Sequence, residues 1–122
     1  MILVDTSVWI DHLRVGELLL VELLNTNRVL VHPLVIGELA CGNLSNRKTV
    51  LSLLRKLPTT RRATDEETLF FIERHGLMGR GIGYIDAHLL AAVSLTGTVR
   101  LWTRDKRLGA VAESMHLAFA PI

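Results

Sequence analysis

The chain has 122 residues, 49% hydrophobic and 21% charged; this is one domain of ordinary globular composition, and it excludes a disordered tail, a collagen-like rod and a low-complexity segment. Fourteen basic against twelve acidic residues give a formal net charge of +2, and the single cysteine, Cys41, excludes an internal disulfide and a thiolate metal cage and fits a reducing cytoplasm. The most apolar stretch, Ile82 to Leu95, is shorter than the roughly 20 residues of a spanning helix and carries Asp86 and His88, and Asp5 ends an apolar N-terminus that has no basic segment, so neither a membrane span nor a secretory signal is expected.

Ile2-Leu3-Val4 is wholly apolar and branched, as in a strand buried on both faces of a parallel sheet. Asp5-Thr6-Ser7 ends it, and Val8 to Leu13 reads as a short helix. Glu17 to Leu24 is nearly all leucine and helical, closed by Asn25-Thr26-Asn27. Arg28 to His32 is a second strand. Pro33 suits the first position of a helix that runs to Cys41 and stops at Gly42-Asn43.

Asn46 to Leu57 carries one apolar stripe (Val50, Leu51, Leu53, Leu54, Leu57) between basic residues and ends at Pro58. Thr60 to Ala63 is predicted as an edge strand. Thr64 to Glu67 is a capping-box pattern for a helix ending at Arg74-His75-Gly76. After a glycine-rich connection, Tyr84 to Leu95 is an apolar, buried helix. Val99 to Thr103 is a strand, Asp105 to Met115 a helix, and Leu117 to Phe119 a last strand. Strands separated by helices imply parallel pairing in a single α/β sandwich over residues 1–122.

The acids divide by the company they keep. Asp65, Glu66 and Glu67 lie in a capped first turn, where carboxylates complement the helix dipole. Glu17, Glu22, Glu73 and Glu113 suit solvated helix faces. Asp5 and Asp105 instead follow predicted parallel strands, at the sheet edge where open α/β folds bind ligands. Glu38 lies in the apolar segment Val35 to Cys41, and Asp86 begins the apolar helix. Each of the four has a plain alternative: a helix cap for Asp5, Asp86 and Asp105, an exposed helix face for Glu38.

If they converge, two carboxylates about 4 Å apart repel by about 4 kcal/mol at an effective dielectric near 20. Protons or a cation must relieve that. Oxygen-only ligands select hard ions such as Mg²⁺ or Mn²⁺, and water at such an ion attacks phosphodiesters. Committing four of the twelve acids would leave fourteen basic residues against eight over the remaining surface, attractive to a polyanion.

Four segments carry a resemblance: Leu3 to Asp11, Val35 to Leu39, Gly81 to Ala92 and Leu101 to Leu108. In this order they resemble the signature blocks of PIN-domain ribonucleases, and among these the VapC-type toxins of bacterial toxin–antitoxin pairs. The resemblance implies a three-layer α/β/α sandwich with a central parallel sheet of four to five strands. It implies Asp5, Glu38, Asp86 and Asp105 as metal-binding catalytic acids in a Mg²⁺- or Mn²⁺-dependent endoribonuclease. It implies Thr6, Ser7 and Thr103 as hydroxyls that orient carboxylates or water. The partners implied are an RNA substrate and a VapB-like antitoxin, with a toxin homodimer. The alternatives are a structure-specific DNA nuclease of the same superfamily and a non-catalytic RNA-binding module.

Arg80, Arg104 and Arg107 are candidates for phosphate contacts, which position a strand without reading its sequence. The five histidines show no zinc-like spacing; His88 reads as a polar neighbour of the site. Cys41, Trp9 and Trp102 read as packing residues. Six aromatics are too few for base stacking to dominate RNA affinity. The leucine-rich helix, apolar almost all round, is either core or a surface for the antitoxin or a second copy.

Overall fold

The computed structural model describes residues 1–121. Three parallel strands, β1 (Ile2–Val4), β2 (Val29–Leu30) and β3 (Arg100–Trp102), lie in the order β2-β1-β3. Around them pack α1 (Thr6–Val15), α2 (Leu18–Asn25), α3 (Pro33–Cys41), α4 (Arg47–Lys56), α5 (Asp65–His75), α6 (Tyr84–Thr96) and α7 (Lys106–Ser114). The α/β architecture is the one expected. β1 is central and fully buried, which is why its three residues are all branched and apolar.

The sheet is narrower than the four to five strands expected. The predicted last strand, Leu117 to Phe119, is reduced to a single bridge at Ala118, and the predicted edge strand Thr60 to Ala63 does not form, the bridge there falling one residue earlier, at Thr59. Val31 pairs with Thr59 through Val31 N–H to Pro58 O and Thr60 N–H to Val31 O, at 2.9 and 3.0 Å. Leu101 pairs with Ala118 through bonds of 2.8 Å to Leu117 and from Phe119. Both segments are cut short by helix ends: Thr64 caps α5, and α7 is followed by a left-handed residue, His116. β2 is shortened likewise, because His32 already caps α3 and Pro33 stands at its first position.

Tertiary packing extends α1 beyond the expected Val8–Leu13, back to Thr6 and on to Val15. The capping box at Thr64 and Glu67 forms as the sequence suggests, with bonds of 3.0 and 2.9 Å. Cys41 is exposed rather than buried, because it closes the short helix α3 at its outer end. Trp9 and Trp102 are core residues. No helix is long and apolar enough to cross a membrane among the described residues.

A polar seam, buried at Thr68 and His88 and open at Asp65, joins α5 and α6. His88 on α6 bonds Thr68 Oγ1 through Nδ1 and Asp65 Oδ1 through Nε2, both at 3.1 Å, so it ties two helices rather than facing the acids. Tyr84 OH donates to the same Asp65 oxygen at 2.8 Å; that bond and the His88 contact hold the Asp65 carboxyl below its usual range. Next to this seam, His32 is fully buried, and its Nδ1 accepts the Leu34 N–H at 3.0 Å.

Burial, then the nearby Arg62 and His88, pull His32 from 6.5 down to about 4. The folded chain therefore keeps this ring neutral while the unfolded chain protonates it below 6.5. Stability falls as the pH drops from 6.5 to about 4. His32→Asn keeps a capping oxygen and removes the titration. Between pH 7 and pH 4, denaturant unfolding should show wild type losing on the order of 3 kcal/mol more than His32→Asn.

Candidate active site

Four carboxylates meet the C-terminal edge of the sheet, each delivered by a different element. Asp5 follows β1, and its N–H continues the strand pairing by donating to Trp102 O at 2.9 Å. This sets Asp5 beside Thr103 and Asp105, which follow β3. Glu38 comes from the middle of α3, which packs on α1. Asp86 comes from the first turn of α6.

The helix-cap alternative is answered residue by residue. Asp5 occupies the N-cap position of α1, yet its side chain makes no capping bond. Its Oδ2 accepts from Ser7 Oγ at 2.8 Å and from Thr103 Oγ1 at 2.7 Å. Asp105 does cap α7, through Oδ1 and the Leu108 N–H at 2.9 Å. Asp86 accepts the Gly83 N–H on Oδ2 at 3.0 Å. Glu38 Oε1 accepts from Thr6 Oγ1 at 2.7 Å. Thr6, Ser7 and Thr103 thus hydrogen-bond to carboxylates.

Each of the four acids therefore spends one oxygen on the protein. Among the described residues, Asp5 Oδ1, Glu38 Oε2, Asp86 Oδ1 and Asp105 Oδ2 receive no protein hydrogen bond, and none of the four acids has a salt bridge. Asp5 is buried and Asp86 half-buried. Burial pushes the Asp86 carboxyl up, and the charges of Asp5, Asp105 and Glu38 push it further, against the Gly83 bond that lowers it. The four side chains thus share one electrostatic neighbourhood.

They do not form a closed cage: among the described residues, no three histidine, cysteine or acidic side chains are gathered tightly enough to grip one ion. The donor set nonetheless fits a hard divalent cation: oxygen only, four negative charges, and one free oxygen apiece.

The three candidate arginines fare differently. Arg104 is committed elsewhere: its guanidinium bonds Asp11 at 2.7 Å and also Glu17, and stands over the Trp102 ring 5.7 Å from its centroid. Its N–H donates to Ser7 Oγ at 2.9 Å. It fastens the loop that carries Thr103 and Asp105 onto the α1–α2 corner. Glu17 is therefore no free solvated acid; it holds Arg104 and caps α2 at Leu19. Spacing along the chain gave no signal of this pairing, since Arg104 and Glu17 are 87 residues apart. Arg107 and Arg80 are exposed. The Arg107 stem lies on Gly81, where an added Cβ would come within 2.5 Å of its Cδ and φ is +82°; the glycine lets Arg107 cross close to the loop that leads to Asp86.

Comparison with known families decides the assignment: the PIN domain model matches residues 2–114. The chain belongs to the PIN domain family. Two similar curated proteins are Ribonuclease VapC32 of Mycobacterium tuberculosis strain CDC 1551 / Oshkosh and of strain ATCC 25618 / H37Rv. Each is 51% identical over 120 residues, spanning 98% of this chain and 97% of the relative. The PIN assignment agrees with the parallel sheet and with strand ends that present acids.

The charge argument has a thermal consequence. Asp86→Asn retains an oxygen for the Gly83 N–H and removes one repelled charge. In chelator at neutral pH its Tm should equal or exceed that of wild type, while the Tm rise on adding Mg²⁺ should shrink. A markedly lower Tm in chelator would make Asp86 a structural cap alone. Thermal scans of both proteins with EDTA and with Mg²⁺ check this.

Proposed function

We propose that this PIN-domain chain is the toxin of a type II toxin–antitoxin pair and hydrolyses RNA phosphodiesters with Mg²⁺ or Mn²⁺. One observation carries the reading: four carboxylates from four elements, each tethered by one oxygen and free at the other, with no cationic side chain among them. Such an arrangement is costly unless something positive is bound there. The VapC32 relatives are named ribonucleases, which supports RNA as the substrate class.

When bound, the divalent ion supplies charge against the scissile phosphate and makes its water a better nucleophile at neutral pH. Asp5, Glu38, Asp86 and Asp105 would hold it. Ser7 and Thr103 fix the Asp5 carboxylate from two sides, so its remaining oxygen keeps one direction. Thr6 does the same for Glu38. Orientation of this kind is what outer hydrogen bonds give to metal-binding groups. Arg104 holds the Asp105 loop in place, and Arg80 and Arg107 are left to meet phosphates on either side of the cut.

A VapB-like antitoxin and a toxin homodimer, acting in the cytoplasm, belong to the same reading. Val15 and Leu18 are 84% and 87% exposed, an apolar corner that water does not favour. Nearby, Ile10, Leu13, Leu39, Leu44 and Val50 line a groove of about 440 Å³ that reaches Glu38. An apolar antitoxin segment lying there would end beside the acids.

Asp5→Asn tests the chemistry, because the amide is nearly isosteric but carries no charge. Cleavage of RNA in Mg²⁺ should fall by more than about 100-fold, beyond the usual loss from an outer hydrogen-bond partner. Circular dichroism should show an unchanged fold. A folded Asp5→Asn protein with wild-type activity would overturn the mechanism.

A further inference from the structure

Thr103 and Asp105 have a second environment. On the side of α7 and the C-terminal segment they form one end of a cavity of about 690 Å³. Part of its wall is apolar, from Leu101, Gly109, Ala110, Ala118 and Phe119, and Arg104, paired with Asp11 and Glu17, lines it as well. Phe119 is half-buried and packs edge-on against Trp102, with ring centroids 5.5 Å apart. Lys106 stands at the end near Asp105 and makes no salt bridge among the described residues. Glu113 and His116 line the far part, about two helical turns along α7 from Asp105.

Gly109 is the odd residue. It sits inside α7, where glycine weakens a helix relative to alanine. No positive φ requires it, and no neighbour crowds it: an added Cβ would meet only Thr103 Cγ2, at an ordinary 3.8 Å. Folding alone does not call for a glycine here. Its one structural effect is to keep the cavity floor open next to Thr103.

We propose that this cavity seats one base of the RNA strand, that of the nucleotide adjoining the cleaved phosphodiester, with Lys106 meeting that nucleotide's phosphate. The inference rests on the nuclease reading above, which places the scissile phosphate at the four acids, of which Asp105 lines the cavity. An apolar stretch of wall with an aromatic side chain suits a base, a cation at one end suits a phosphate, and a carboxylate and an imidazole farther along suit a base edge. This is one positioned base, not a stacking platform, in keeping with a chain of six aromatics.

The test titrates the full ¹⁵N-labelled chain with each of the four nucleoside 5′-monophosphates, with inorganic phosphate as a control, and follows backbone amides. Shifts should gather at Gly109, Ala110, Ala118 and Phe119 with nucleotide and be absent there with phosphate. Gly109→Leu fills the floor and should weaken nucleotide binding at least roughly fivefold, the lower end of what one stacked base contributes. Its KM for RNA should rise by a similar factor, while the Tm rise on adding Mg²⁺ stays unchanged. Gly109→Ala, the milder variant should the leucine fail to fold, should raise Tm by roughly 3 °C through helix propensity yet still weaken nucleotide binding. Nucleotide shifts that miss these amides, or a Gly109→Leu protein with wild-type binding and KM, would overturn the proposal. The titration needs no cleavage: a wild-type chain that fails to cut RNA yet shifts at Gly109 would sink the nuclease reading and support the nucleotide site.

Discussion

Four negative charges held together without a positive side chain constrain the rest of this molecule. The protein opposes their repulsion with hydrogen bonds alone. Two hydroxyls grip Asp5, one grips Glu38, and backbone N–H groups at two helix starts grip Asp86 and Asp105. A lysine or arginine in the cluster would be a stronger partner and would also consume the free oxygens. Arg104, next to Asp105 in the chain, is instead paired with Asp11 and Glu17.

The fold is arranged to make that tolerable. β1 is only three residues long, but it is central and buried, so the position of Asp5 is set by the best-packed part of the core. β3 pairs with β1 in register through Val4 and Trp102, which brings residues 98 apart in sequence, Asp5 and Thr103, within 2.7 Å. Short strands suffice, because the helices supply most of the remaining burial and the edges are closed by single bridges. The polar seam of His88, Thr68 and Asp65 fastens α5 to α6, the helix that carries Asp86.

Around the acids the surface changes sign. Arg80, Arg107 and Lys106 are exposed basic residues on the loop and helix that adjoin Asp86 and Asp105. The close crossing of Arg107 over Gly81 ties the two segments together.

Much of this was legible in the chain itself. The apolar run Ile2-Leu3-Val4 required a buried strand, the Thr64 to Glu67 pattern required a capped helix, and acids after strands pointed to the C-terminal edge of the sheet. These are local signals: period, cap chemistry and the cost of a carboxylate beside a core. Sequence could not tell whether the Asp5 side chain caps α1, nor foresee that Arg104 is paired with Asp11 and Glu17, that His88 faces α5, that Cys41 is exposed, that the last strand shrinks to a single bridge or that Thr60 to Ala63 forms no strand. Those outcomes depend on which partners reach a side chain across distances of tens of residues, and only the packed sheet and helices bring such partners together. Residue type and order determined which groups were present and which local structures they favoured; tertiary structure decided which oxygens were left free, because freedom from a partner is a property of neighbours in space.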